Sequence, residues 1–213
     1  MTDKVFTQEQ QETLYEIMAS RRDVRGNRFI RNAIDDAVID QILSAAVLAP
    51  SVGYSQPWEF VIIRDPKLKS KVAENFEREN EKARPMFDER QALYSRLKLE
   101  GIHEAPINIA VFYKPSEQPV LGQTSMPKMG EYSVVCAIQN MWLMARALNV
   151  GIGWVSILDP ESVNHILNAP KDNQLVAYLC VGYVDKFYTR PELETLKWKE
   201  RKELESVIRF ERY

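Results

Sequence analysis

Residues 131–149 constrain this fold more than any other segment. Val134, Val135, Ile138, Met141, Trp142, Ala145 and Leu148 leave a helix there little polar face. A helix apolar nearly all round has to be covered on several sides. In a chain of 213 residues, which suits one sizeable domain, it belongs at the core centre or at a subunit interface. Residues 108–113 form a short continuous apolar run typical of a sheet centre. Residues 59–64, 154–158 and 175–184 read as further strands. Helices are expected at 7–20, 37–48, 65–82, 87–99 and 160–167. In the first, Thr7 and Gln10 fit a capping box and Leu14, Ile17 and Met18 form an apolar stripe. In the second, Val38, Ile42, Ala45 and Ala46 should face inward, with Pro50 as the stop. Residues 114–130, with Pro115, Pro119, Gly122 and Pro127, are loop. The tail from 193 to 213 is charged and ends in Val-Ile-Arg-Phe at 207–210, a short strand on a long arm that needs a sheet edge.

Several function classes are disfavoured. A formal net charge of −2 argues against a general nucleic-acid binder. No apolar run reaches the roughly 18–20 residues of a membrane span. The first ten residues lack the apolar core of a signal peptide, so the cytoplasm is the expected compartment. The two cysteines, Cys136 and Cys180, lie in apolar sequence surroundings and are expected to be buried reduced thiols. The two histidines, His103 and His165, lack ligand-like spacing, so no metal site is expected. No Gly-x-Gly-x-x-Gly opens a helix after a strand, which disfavours a Rossmann site. Neither histidine is linked by a motif to Ser156, a poor candidate for a hydrolase nucleophile.

Three short segments carry chemistry together that none carries alone. Arg21, Arg22 and Arg25 surround Asp23. By itself this is a solvated helix end whose cations offset the macrodipole; the alternative is a phosphate clamp, since arginine's planar fork matches phosphate oxygens. Asp23 would repel a phosphate and should point elsewhere. Its pKa is set by two opposed effects, nearby arginines favouring the anion and burial the neutral acid. The second segment, 49–58, is either a plain helix-to-strand turn or a loop whose Ser51, Ser55 and Gln56 read a ligand edge. The third, Gly-Ile-Gly-Trp-Val-Ser-Ile at 151–157, is either a strand start or a place where glycine lets the backbone approach a ligand. Together they offer cations for a phosphate, backbone donors for a polar ring edge and flat apolar walls, as a flavin mononucleotide requires.

These segments resemble the nitroreductase-like flavoprotein superfamily. The likeness runs from about residue 21 to 204 and includes Leu-Lys-Leu-Glu-Gly-Ile at 97–102, Met-Pro at 126–127, Tyr-Ser at 132–133 and Val-Cys-Ala-Ile-Gln-Asn at 135–140. The aspartate at 23, the 97–102 run and Trp-Val-Ser at 154–156 are similar to the branch that consumes reduced FMN with O2, giving 5,6-dimethylbenzimidazole and erythrose 4-phosphate. The resemblance implies an α+β fold with a mostly antiparallel central sheet flanked by helices. It implies one domain over 1–213, a lid at about 85–104, and a homodimer in which an arm at about 193–213 crosses to the partner. The implied flavin contacts are Arg21, Arg22, Asp23, Val24, Arg25, Pro50, Ser51, Lys98, Leu99, Gly153, Trp154, Val155, Ser156 and Arg201. Asp23 and Ser156 are the implied catalytic pair. FMNH2 and O2 are the implied small molecules, with a separate flavin reductase as a further partner and no nucleic acid or membrane. An NAD(P)H-dependent nitroreductase and a non-catalytic FMN-binding protein are the alternatives.

Overall fold

The computed structural model describes residues 3–213. Four strands, β1 (Trp58–Ile63), β2 (Ile107–Tyr113), β3 (Val150–Val155) and β4 (Gln174–Tyr183), form one antiparallel sheet in the order β1-β2-β4-β3. Every residue of β2 is buried, as its continuous apolar run requires. Alternate side chains feed two cores. On one face Ile107, Ile109, Val111, Leu179 and Val181 meet the helices α2 (Asp36–Ala46) and α5 (Met129–Ala147). On the other, Ala110, Phe112, Tyr178 and Cys180 share a core with Val72 and Phe76 of α3 (Pro66–Ala83) and Val163 of α6 (Pro160–Ile166).

The helix α1 (Gln8–Ser20) starts at the expected capping box, Thr7 and Gln10 bonding reciprocally. Its stripe does not reach the core. No residue of α1 is buried, and Leu14, Tyr15 and Met18 are 52%, 70% and 46% exposed. In α2 the buried positions are Ile39, Ile42 and Ala46. The helix α5 buries one face, including Val134, Ala137, Ile138, Met141 and Ala145, and leaves Tyr132, Val135 and Cys136 exposed. The expected burial of both thiols therefore holds for Cys180 and fails for Cys136. No helix among the described residues is long and apolar enough to cross a membrane.

Three expected elements differ. The third strand spans Val150–Val155 rather than 154–158, because Gly151 and Gly153 lie inside it, leaving room for neighbouring chain. The continuous helix expected at 87–99 is broken. A 3-10 stretch, Arg84–Arg90, kinked within at Asp88 (φ 39, ψ −117), leads into the one-turn α4 (Gln91–Tyr94). That break lets Phe87 fold back onto Tyr94, ring centroids 4.4 Å apart. Residues 207–210 form no strand within this chain; Val207 and Phe210 are exposed, and only a short turn at Leu204–Ser206 precedes them.

Candidate functional site

The candidate site forms where the end of α1 meets β3. After Ser20 the chain turns extended and lies parallel to β3, Asp23 bridging to Ile152 and the Val24 N–H donating to the Ile152 carbonyl at 3.0 Å. Glycine makes this approach possible. A Cβ on Gly153 would sit 2.0 Å from the Val24 carbonyl oxygen, and one on Gly151 would meet Val184 and Val24 side chains at 2.6 and 2.9 Å. The close approach at Gly153 is thus to the protein's own backbone. Trp142 of α5 fixes the same junction, its indole N–H donating to the Arg22 and Ile152 carbonyls at 3.3 and 3.1 Å.

The charges here are unbalanced. Arg21 lies 4.8 Å over the Trp142 ring. Arg22 donates to the carbonyls of Ala19, Arg21 and Thr189, while its buried Nε has no partner. Neither guanidinium has a carboxylate in salt-bridge reach among the described residues. Burial, then the fields of Arg21, Arg201 and Arg146, lower the Arg22 pKa, with Glu194 opposing. Arginine stays charged regardless, so the cations around Arg22 repel one another.

Arg25 is used differently. It pairs with Asp23 and donates to the carbonyls of Leu99 and Trp154 at 2.9 and 3.3 Å. Asp23 accepts the Trp154 N–H at 3.0 Å, so both its oxygens are held while its side chain remains one-third exposed (33%). Burial raises its pKa, and Arg25, the Trp154 N–H and Arg21 only partly counter that. A carboxyl beside a cavity that holds its proton more tightly than an ordinary aspartate is a candidate for proton transfer. Lys98 is neutralised by Glu100 and by Glu104 at 3.0 Å. Burial lowers its pKa, but these bonds outweigh it and the net direction is up.

A cavity of about 210 Å3 gathers Arg21, Arg22, Asp23, Arg25, Lys98 and Leu99 from the expected set. It adds Leu97, the first residue of the 97–102 run, and Tyr188, Pro191, Glu192 and Leu193, four residues that carry no motif and that sequence reasoning missed. Only the fold of the tail against residues 21–25 reveals them. Val24 is buried behind the cavity, as is Val155, and Trp154 is half-buried. Arg201 is exposed but near enough to act on Arg22. Ser156 is exposed just past the end of β3. Pro50 and Ser51 lie elsewhere. Ser51 accepts the Gln56 N–H at 3.1 Å, and the adjacent Val52 N–H donates at 3.0 Å to Ser133 in the first turns of α5, whereas Arg22 is tied to Trp142 farther along that helix.

This donor set fits the phosphate end of a flavin nucleotide: unneutralised arginines and an orphaned buried guanidinium nitrogen beside a cavity. The cavity is smaller than the roughly 300–1,000 Å3 of a complete small-molecule site.

The nitroreductase family model matches residues 18–183. The chain is similar to 5,6-dimethylbenzimidazole synthase of Rhodospirillum rubrum, 45% identical over 85% of this chain and 87% of that protein. It is similar to the enzyme of the same name from Rhodobacter capsulatus, 40% identical over 92% of this chain and 95% of that one. Among solved structures, an iodotyrosine deiodinase bound to FMN and 3-iodo-L-tyrosine shares the fold, with TM-score 0.74 at 24% identity, covering 94% of this chain and 100% of that one.

Proposed function

This chain belongs to the nitroreductase family, and from that premise we propose that it acts as a 5,6-dimethylbenzimidazole synthase. Its substrates are reduced FMN and O2; its products are 5,6-dimethylbenzimidazole, the lower ligand of vitamin B12, and erythrose 4-phosphate. The observation that carries the reading is the unneutralised Arg21 and Arg22, with the orphaned Nε of Arg22, beside a cavity walled by the 97–99 segment. The relatives named as synthases at 40% and 45% identity support the specific reaction.

The reduced flavin supplies the electrons that activate O2, and it is consumed rather than recycled. The protein supplies binding, orientation, water exclusion and proton transfer. Arg21 and Arg22, with Arg201, would hold the phosphate. Asp23, fixed by Arg25 and the Trp154 N–H, would move protons at the reacting ring. Ser156 lies at the same end of β3 and would orient a polar edge. The segment at about 85–104 is the lid that keeps water out.

The site is completed in a homodimer. A helix with no buried residue and with Leu14, Tyr15 and Met18 exposed needs a second surface to cover it. Pro50 and Ser51, outside the cavity of their own chain, would meet the ligand from the partner. Of the arm at about 193–213, the part beyond Arg201 would cross to the partner's sheet edge, where 207–210 gains strand pairing. Reduced flavin would come from a separate reductase in the cytoplasm.

The test is incubation of the protein with reduced FMN in air and chromatography for dimethylbenzimidazole. Asp23→Asn should bind reduced FMN and permit its oxidation normally, yet yield about 10²–10⁴ less product, the usual worth of an acid–base step. Flavin oxidation without product from the wild-type protein would sink the proposal. Rapid anaerobic reduction of bound FMN by NAD(P)H would instead favour a nitroreductase.

A further inference from the structure

The segment 188–201 touches the anion site and the lid at separate points. At its start Arg22 donates to the Thr189 carbonyl. Pro191 and Leu193 wall the cavity. After the one-turn α7 (Glu192–Thr195), Lys197 adopts φ 55, a left-handed conformation that reverses the chain. The Trp198 N–H then donates to the Leu193 carbonyl at 2.8 Å, which aims the indole back at the lid. There the ring meets Phe87 edge-on at 5.4 Å and Tyr94 at 6.4 Å. From the lid side, Arg90 lies 3.9 Å over the indole and donates to the Trp198 carbonyl. Three residues further on, Arg201 adds its field at Arg22.

We propose that Trp198 is a positioning residue that clasps the lid to the anion site, so that phosphate capture and lid closure are one event. The inference rests on the flavin reading above and extends it to the choice of substrate. An anion between Arg21, Arg22 and Arg201 draws the two ends of the 188–201 segment onto one ligand. That fixes the turn at Lys197, and through it the indole against Phe87 and Tyr94. A flavin without a phosphate engages the ring walls but leaves this segment free, so the lid closes poorly over it. The clasp therefore selects FMN over riboflavin at the level of the closed state, beyond any difference in initial binding.

Hydrogen exchange of the 87–94 amides in the full chain tests this, with saturating FMN or riboflavin and with flavin fluorescence quenching as the measure of binding. FMN should slow these amides about tenfold more than riboflavin, the scale of one aromatic pair with a cation–π contact. Trp198→Ala should keep FMN quenching and lose that extra protection, and Trp198→Phe should retain part of it. Arg90→Gln, altered on the exposed lid surface, should lose part of it too and serves if Trp198→Ala does not fold. Equal protection by riboflavin and FMN, or full FMN protection in both Trp198→Ala and Arg90→Gln, overturns the clasp and leaves the flavin site standing. Absence of FMN quenching in the wild-type protein sinks the functional reading and the clasp with it.

Discussion

Gly153→Ala is the substitution whose effect is most directly set by geometry. The new Cβ would lie 2.0 Å from the Val24 carbonyl oxygen, a full ångström inside the 3.0 Å that real Cβ contacts respect. Its neighbour is backbone, so no side-chain rotation relieves the clash; either β3 or the 23–24 segment must move. Such a movement strains packing by about 1–3 kcal/mol. It also stretches the Val24 N–H to Ile152 bond and the Trp154 N–H to Asp23 bond, worth about 1 kcal/mol for the neutral and about 1.5–3 kcal/mol for the charged one. The lower conformational entropy of alanine in the unfolded chain returns roughly 0.5–1 kcal/mol. A net loss of about 3–5 kcal/mol is expected. In urea unfolding at fixed protein concentration the midpoint should fall by roughly 1–2.5 M, taking m near 2–3 kcal/mol per M for a chain of this length. Gly151→Ala should be milder, because its nearest neighbours are the Val184 and Val24 side chains at 2.6 and 2.9 Å, which can shift. Since Arg21 and Arg22 directly precede the displaced 23–24 segment, FMN affinity should fall alongside stability in Gly153→Ala. A midpoint change under about 0.3 M with unchanged flavin affinity would refute the claim that this glycine seats the site.

Other expectations are more local. Arg21→Ala should weaken FMN binding by about 10–100-fold, the worth of a charge-assisted contact, and leave riboflavin affinity unchanged by fluorescence titration. Burial raises the Asp23 pKa above its ordinary 3.8, so the folded protein holds that proton longer than the unfolded chain does. The stability Asp23 contributes is then full below 3.8 and declines as pH rises through the folded pKa. Asp23→Asn removes this decline, so its urea midpoint should gain on wild type as pH rises above about 4; a difference that stays flat or shrinks would contradict the raised pKa. Cys180 is fully buried and desolvation pushes its thiol pKa up, so a thiol reagent should label it only after urea unfolds the chain.

The sequence alone determined the elements whose signals are local. The capping box at Thr7, the Asp-Pro starts at 65–66 and 159–160 and the apolar run of β2 each hold their information within a few residues, because backbone capping and period are short-range physics. The arginine cluster was legible for the same reason: five consecutive residues carry its charge. Tertiary structure decided the rest. Gly151 and Gly153 read as a strand start or a ligand approach, yet they lie within β3, where Val24 and Val184 occupy the space their side chains would fill. The continuous helix expected at 87–99 is broken at Asp88, where Phe87 stacks on Tyr94 and meets the indole of Trp198, over a hundred residues away; tertiary packing overrides local helix propensity there. Arg25 was indistinguishable from Arg21 and Arg22 in sequence and differs only in what surrounds it: Asp23, Leu99 and Trp154 consume its donors, while Arg21 and Arg22 form no ion pair with a carboxylate among the described residues. Which cation is spent and which is free depends on partners brought together by folding, and no local pattern encodes that.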